Sequence, residues 1–94
     1  MIKNQLKKLV GSAIQDLDVE AEAKIETPKK QWGDYSCGVS FDIAPQAKKN
    51  PYALAQEIAA NIPSSDLVER IEVSRPGFIN FWLKMIVLGR NLLV

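Results

Sequence analysis

Two alternating segments on either side of Arg75-Pro76-Gly77 constrain this chain more than any other feature. In Leu67–Ser74, Ile71 and Val73 fall on one face and Arg70, Glu72 and Ser74 on the other. In Phe78–Lys84, Ile79, Phe81 and Leu83 point one way, while Phe78, Asn80, Trp82 and Lys84 point the other. A period of two is that of a strand with one face in a core, and Pro-Gly between two such runs marks a turn. The pair predicts a β-hairpin whose apolar side needs cover.

Upstream segments supply that cover. Ile2, Leu6, Leu9, Val10, Ala13, Ile14 and Leu17 recur at three- and four-residue steps, which predicts an amphipathic helix. Val19, Ala21, Ala23 and Ile25 then alternate with Glu20, Glu22, Lys24 and Glu26, which predicts a strand ended by Thr27-Pro28. Pro28–Asp34 reads as a polar surface loop. From Tyr35 to Lys49, Val39, Ile43 and Ala47 suggest a helical stripe, but Gly38 and Pro45 oppose a continuous helix, so a kink or break is expected near Pro45. Asn50 then caps a helix opened by Pro51, with Leu54, Ala55, Ile58, Ala59 and Ile62 on one face and Pro63 closing it.

The expected fold class is a small α+β domain: a mostly antiparallel sheet of roughly three to four strands with about three helices packed on one face. The 94-residue length allows one core. Residues 1–84 form the predicted domain, and 85–94 an apolar tail suited to packing on another domain or to homo-oligomerisation. That tail is far shorter than the ~20 residues that cross a bilayer, so no membrane association is expected. One cysteine and no cationic leader fit a reducing, cytoplasmic setting.

Several chemistries lack their residues. There is no histidine, one cysteine cannot build a zinc site or redox pair, and the five glycines are too scattered for a phosphate loop. No metal, nucleotide or other cofactor is expected. Glu20, Glu22, Glu26, Glu57 and Glu69 read as solvated positions, and Cys37 as a packed thiol. Twelve Lys and Arg against 11 Asp and Glu, a net charge of +1, exclude strong indiscriminate nucleic-acid binding.

The outward face of the last strand stands apart, because Phe78 and Trp82 flank the amide of Asn80. Aromatic rings stack on unpaired bases and an Asn amide can pair with a base edge. Rings lying beneath a loop or helix, with Asn80 tying down a backbone group, satisfy the same pattern, and pattern alone favours that arrangement. Arg75 adjoins the aromatic strand and is the best placed of the cations to meet a phosphate.

Gly33-Asp34-Tyr35-Ser36-Cys37, Lys48-Lys49-Asn50-Pro51 opening a helix, and Pro76-Gly77-Phe78-Ile79-Asn80-Phe81 together resemble the N-terminal domain of arginyl-tRNA synthetases. The resemblance implies a noncatalytic tRNA-binding domain that grips the D-loop of arginine tRNA. It implies that Phe78 and Asn80 meet an unpaired D-loop base and that Arg75 approaches the same loop; strand alternation adds Trp82. The family's HIGH and KMSKS signatures are missing, and without histidine HIGH cannot be written, so this chain is not expected to aminoacylate or to bind ATP or arginine. The competing expectation is a free-standing relic acting as a protein-interaction or oligomerisation module through its tail or hairpin.

Overall fold

The computed structural model describes residues 2–17, 21–28 and 33–84. Helix α1 (Ile2–Ile14) runs into a 3-10 turn (Gln15–Leu17) and is followed by strands β1 (Ile25–Glu26) and β2 (Tyr35–Cys37). Helices α2 (Val39–Ala47) and α3 (Pro51–Ala60) come next, then strands β3 (Val68–Ser74) and β4 (Phe78–Leu83). The four strands form an antiparallel sheet in the order β1-β2-β4-β3, and helix α3 joins α1 and α2 to β3 and β4. The expected α+β class is the observed one.

The core lies between the helices and one sheet face. Leu6 and Val10 of α1, Val39 and Ile43 of α2, Leu54 and Ile58 of α3, and Ile79 and Phe81 of β4 are all 0% exposed. Alternation along β4 therefore turns Phe78, Asn80 and Trp82 to the face away from the helices.

Two expectations need correction. The alternation from Val19 does persist in burial, with Ala23 and Ile25 buried and Glu22, Lys24 and Glu26 exposed, but only Ile25 and Glu26 pair with β2. Alternation reports a two-sided environment, and a ladder also needs a partner strand, which here is three residues long. Positions 18–20 lie outside the described residues, as do Lys29 to Trp32 and the tail at 85–94. Second, Tyr35–Cys37 is a strand and not the start of the following helix. Gly38 stands outside α2 as its N-cap, and the helix continues through Pro45 to Ala47. Pro45 falls in the final turn, where it removes one bond to the Phe41 carbonyl and little helix remains to be lost.

The cap of α3 is as expected: Asn50 Oδ1 accepts from the backbone N–H of Tyr52 at 2.8 Å and of Ala53 at 3.4 Å, with Pro51 in the first turn. Asn50→Ala is expected to cost about 1 kcal/mol in urea unfolding, whereas Asn50→Ser or Asn50→Asp stays within a few tenths.

The Gly33-Asp34 pair is a structural tie. Asp34 N–H donates to the Phe81 carbonyl at 2.8 Å, and Asp34 Oδ2 accepts from Leu83 N–H at 2.8 Å, which fastens the approach to β2 onto the end of β4. A second tie holds the hairpin turn against the helices. Buried Ser40 Oγ donates to the Gly77 carbonyl, and a Cβ on Gly77 would lie 2.9 Å from Pro51 Cβ.

Candidate functional site

Register places one residue from each strand in a single row on the sheet face turned from the helices. Glu26 pairs with Ser36, Ser36 with Asn80, and Asn80 with Glu72. Around this row lies a concavity of about 370 Å³, lined by Glu26, Ser36, Ser74, Arg75, Phe78 and Asn80, with Thr27 and Pro28 completing the wall.

Phe78 is the one exposed large apolar side chain among the described residues, at 38%. Its ring meets Phe41 edge to face at 5.0 Å, and a Cβ on Gly38 would come within 3.5 Å of it. Helix α2 thus braces one part of the ring while the remainder stays open. Arg75 is exposed, and its guanidinium lies 4.2 Å over the Tyr52 ring. Tyr52 follows the capped start of α3, so the helix carries the surface on which the cation rests.

Asn80 corrects the expectation of an amide displayed to solvent, since it is only 1% exposed. It is a short side chain on a central strand, hemmed by Phe78 and Trp82 along β4 and by Ser36 and Glu72 across the sheet. Nδ2 donates to Ser74 Oγ at 3.0 Å, while Oδ1 is buried without a partner. Asn80 nonetheless lines the concavity. Its amide sits at the bottom of the recess and the Phe78 ring at the rim.

Trp82 stands apart from Phe78, Asn80 and Arg75. It does not line the concavity; Arg70 covers its ring at 4.1 Å and also pairs with Glu72 at 2.7 Å. Ser36, Ser74 and Tyr52 are site residues that sequence reasoning missed, and Glu26, expected to be merely solvated, belongs to the wall. No local signal marks Glu26, Ser36 or Tyr52 as site residues, because they reach the site through pairing of β1 with β2 and β2 with β4 and through the docking of α3, whereas Ser74 comes with the β3–β4 hairpin on the face that alternation assigns it.

Cys37, 0% exposed, is a packed thiol as expected; burial raises its pKa and keeps it protonated, a poor nucleophile. Among the described residues no cluster of His, Cys, Asp or Glu is placed to hold a metal, and no helix is long and apolar enough to cross a membrane. An aromatic ring, a buried amide oxygen without a partner and a cation thus come together on one side of a small α+β scaffold.

Comparison with known proteins gives the family. Residues 2–83 match the arginyl-tRNA synthetase N-terminal domain, and the chain belongs to that family. It is 40% identical over 85 residues to the arginine–tRNA ligase of Thermotoga petrophila, covering 88% of this chain and 16% of the relative. The Thermotoga maritima ligase is 37% identical over 86 residues, with the same two coverages. The arginyl-tRNA synthetase of Thermus thermophilus superposes with a TM-score of 0.87 at 30% identity, covering all of this chain and 16% of that one. The Plasmodium falciparum enzyme shares the fold, with a TM-score of 0.84 at 21% identity. The chain spans about a sixth of the length of these relatives, 16%.

Proposed function

We propose that this domain is a noncatalytic tRNA-binding module that reads an unpaired D-loop base of arginine tRNA. Within a longer cytoplasmic synthetase it would hold the tRNA for arginylation of its 3′ end. The observation that carries this reading is the exposed Phe78 ring at the rim of a recess that Asn80, a buried amide with an unpartnered Oδ1, also lines. A base stacked on the ring inserts its edge toward Asn80, and Arg75, beside the same recess, meets the phosphate. Membership of a family whose named relatives are arginine–tRNA ligases supports tRNA as the partner. With a net charge of +1, binding should be weak and salt-sensitive, and its selectivity should come from the recess.

The test is titration of the chain with arginine tRNA and with a D-loop-substituted transcript. Phe78→Ala is expected to weaken arginine tRNA binding about tenfold, consistent with stacking worth ~1–3 kcal/mol per base, with the circular dichroism unchanged. Phe78→Tyr retains most of the affinity. Equal binding by the parent, Phe78→Ala and the substituted tRNA would eliminate this site.

A further inference from the structure

The two arginines of the β3–β4 hairpin differ in what surrounds them. Arg70 is occupied: its guanidinium covers the Trp82 ring at 4.1 Å and pairs with Glu72 at 2.7 Å. Arg75 also lies over a ring, that of Tyr52 at 4.2 Å, yet among the described residues no carboxylate pairs with it. Contact with a ring face engages the cation's charge and leaves its N–H donors for an anion. A long side chain on an exposed turn otherwise spreads over many rotamers, and fixing it opposes binding. Tyr52 is itself well anchored, being half-buried, with its backbone N–H donating to Asn50 Oδ1 at 2.8 Å. The turn that follows Arg75 is seated against the same helix start, where a Cβ on Gly77 would lie 2.9 Å from Pro51 Cβ, and Ser40 Oγ of α2 donates to the Gly77 carbonyl. Helix and turn together set ring and guanidinium against each other.

We propose that Tyr52 is a positioning residue: its ring holds the Arg75 guanidinium beside the Phe78 ring in the orientation that meets an RNA phosphate, while Tyr52 itself touches no nucleotide. This rests on the tRNA-binding reading above and concerns the contact to the RNA backbone. Arg75 lines the recess and Tyr52 does not, so the effect of the ring passes through the cation. The ring acts by preorganisation, since a guanidinium already confined over it loses less freedom when the phosphate arrives.

The experiment titrates the 94-residue chain with arginine tRNA over a series of salt concentrations, followed by fluorescence anisotropy. Arg75→Ala is expected to weaken binding about tenfold and to reduce the salt slope by about one, as loss of a single phosphate contact does. Tyr52→Leu, which keeps apolar bulk without the ring, weakens binding about fourfold and lowers the slope in the same direction, and Tyr52→Phe recovers affinity to within about twofold of the parent. The double variant Tyr52→Leu, Arg75→Ala binds no more weakly than Arg75→Ala alone, because the ring has no cation left to hold. A further fourfold loss in the double variant would show that Tyr52 acts independently of Arg75 and would overturn the assignment, as would parental affinity and slope in Tyr52→Leu. If Arg75→Ala binds like the parent while Phe78→Ala is weakened, the Tyr52 proposal fails alone. If the parent binds no arginine tRNA at all, the proposed function fails with it.

Discussion

Replacing Phe81 by alanine should destabilise the fold by about 4 kcal/mol and lower its melting temperature by roughly 20 °C. Among the described residues Phe81 is the largest fully buried side chain, 0% exposed on an inner strand of the sheet. It is opposed by Tyr35 on β2 and Ile71 on β3, and it belongs to the core cluster formed with all three helices. Truncation loses the transfer free energy of a ring and leaves a cavity walled by strands that hydrogen bonds hold apart. Domains of this size are stable by only about 5–15 kcal/mol, so the variant sits near the threshold of folding. Thermal and urea unfolding check the result, and Phe81→Leu should recover more than half of the loss. A cost for Phe81→Ala below about 1 kcal/mol would mean that the helices do not pack on β4 as described.

Gly33→Ala is the second large effect, expected at about 3 kcal/mol even though it adds one methyl group. Gly33 has φ +102, a conformation that L side chains rarely adopt, and an added Cβ would lie 2.8 Å from the Phe81 carbonyl oxygen. That oxygen accepts the Asp34 N–H bond, so the methyl cannot be accommodated without loosening the tie between β2 and β4. Trp82 Cδ2, at 3.3 Å, closes the other escape. The measurement is the urea midpoint at unchanged slope. A shift equivalent to less than about 1 kcal/mol would show that the turn before β2 can rearrange freely. Because β2 carries Ser36, the same substitution is expected to reduce RNA binding along with stability, unlike Phe78→Ala, which spares the fold.

The GDY signature thus has a physical content separate from tRNA. Its glycine provides the positive φ and the close approach, and its aspartate bonds the backbone of both Phe81 and Leu83. The Pro-Gly-Phe signature divides similarly: Gly77 lets the turn lie against Pro51, and Phe78 remains available to a guest.

The sequence alone determined the elements whose signal is local and long. Helix α1, the capped α3 and the β3–β4 hairpin each carry a full period of burial or a turn residue with one conformational meaning, and each formed where expected. It also placed Ile79, Phe81 and Leu83 in the core, since alternation along one strand needs no knowledge of its neighbours. Tertiary structure decided the rest. Strand β2 is too short to show a period and exists because β1 and β4 flank it. The same pairing made Asn80 a recessed acceptor, and docking of α3 set Tyr52 beneath Arg75, while Arg70 covered Trp82. A side chain's face follows from its own strand, but its depth and partners follow from which strands lie beside it, and that pairing joins residues as far apart as Ser36 and Asn80.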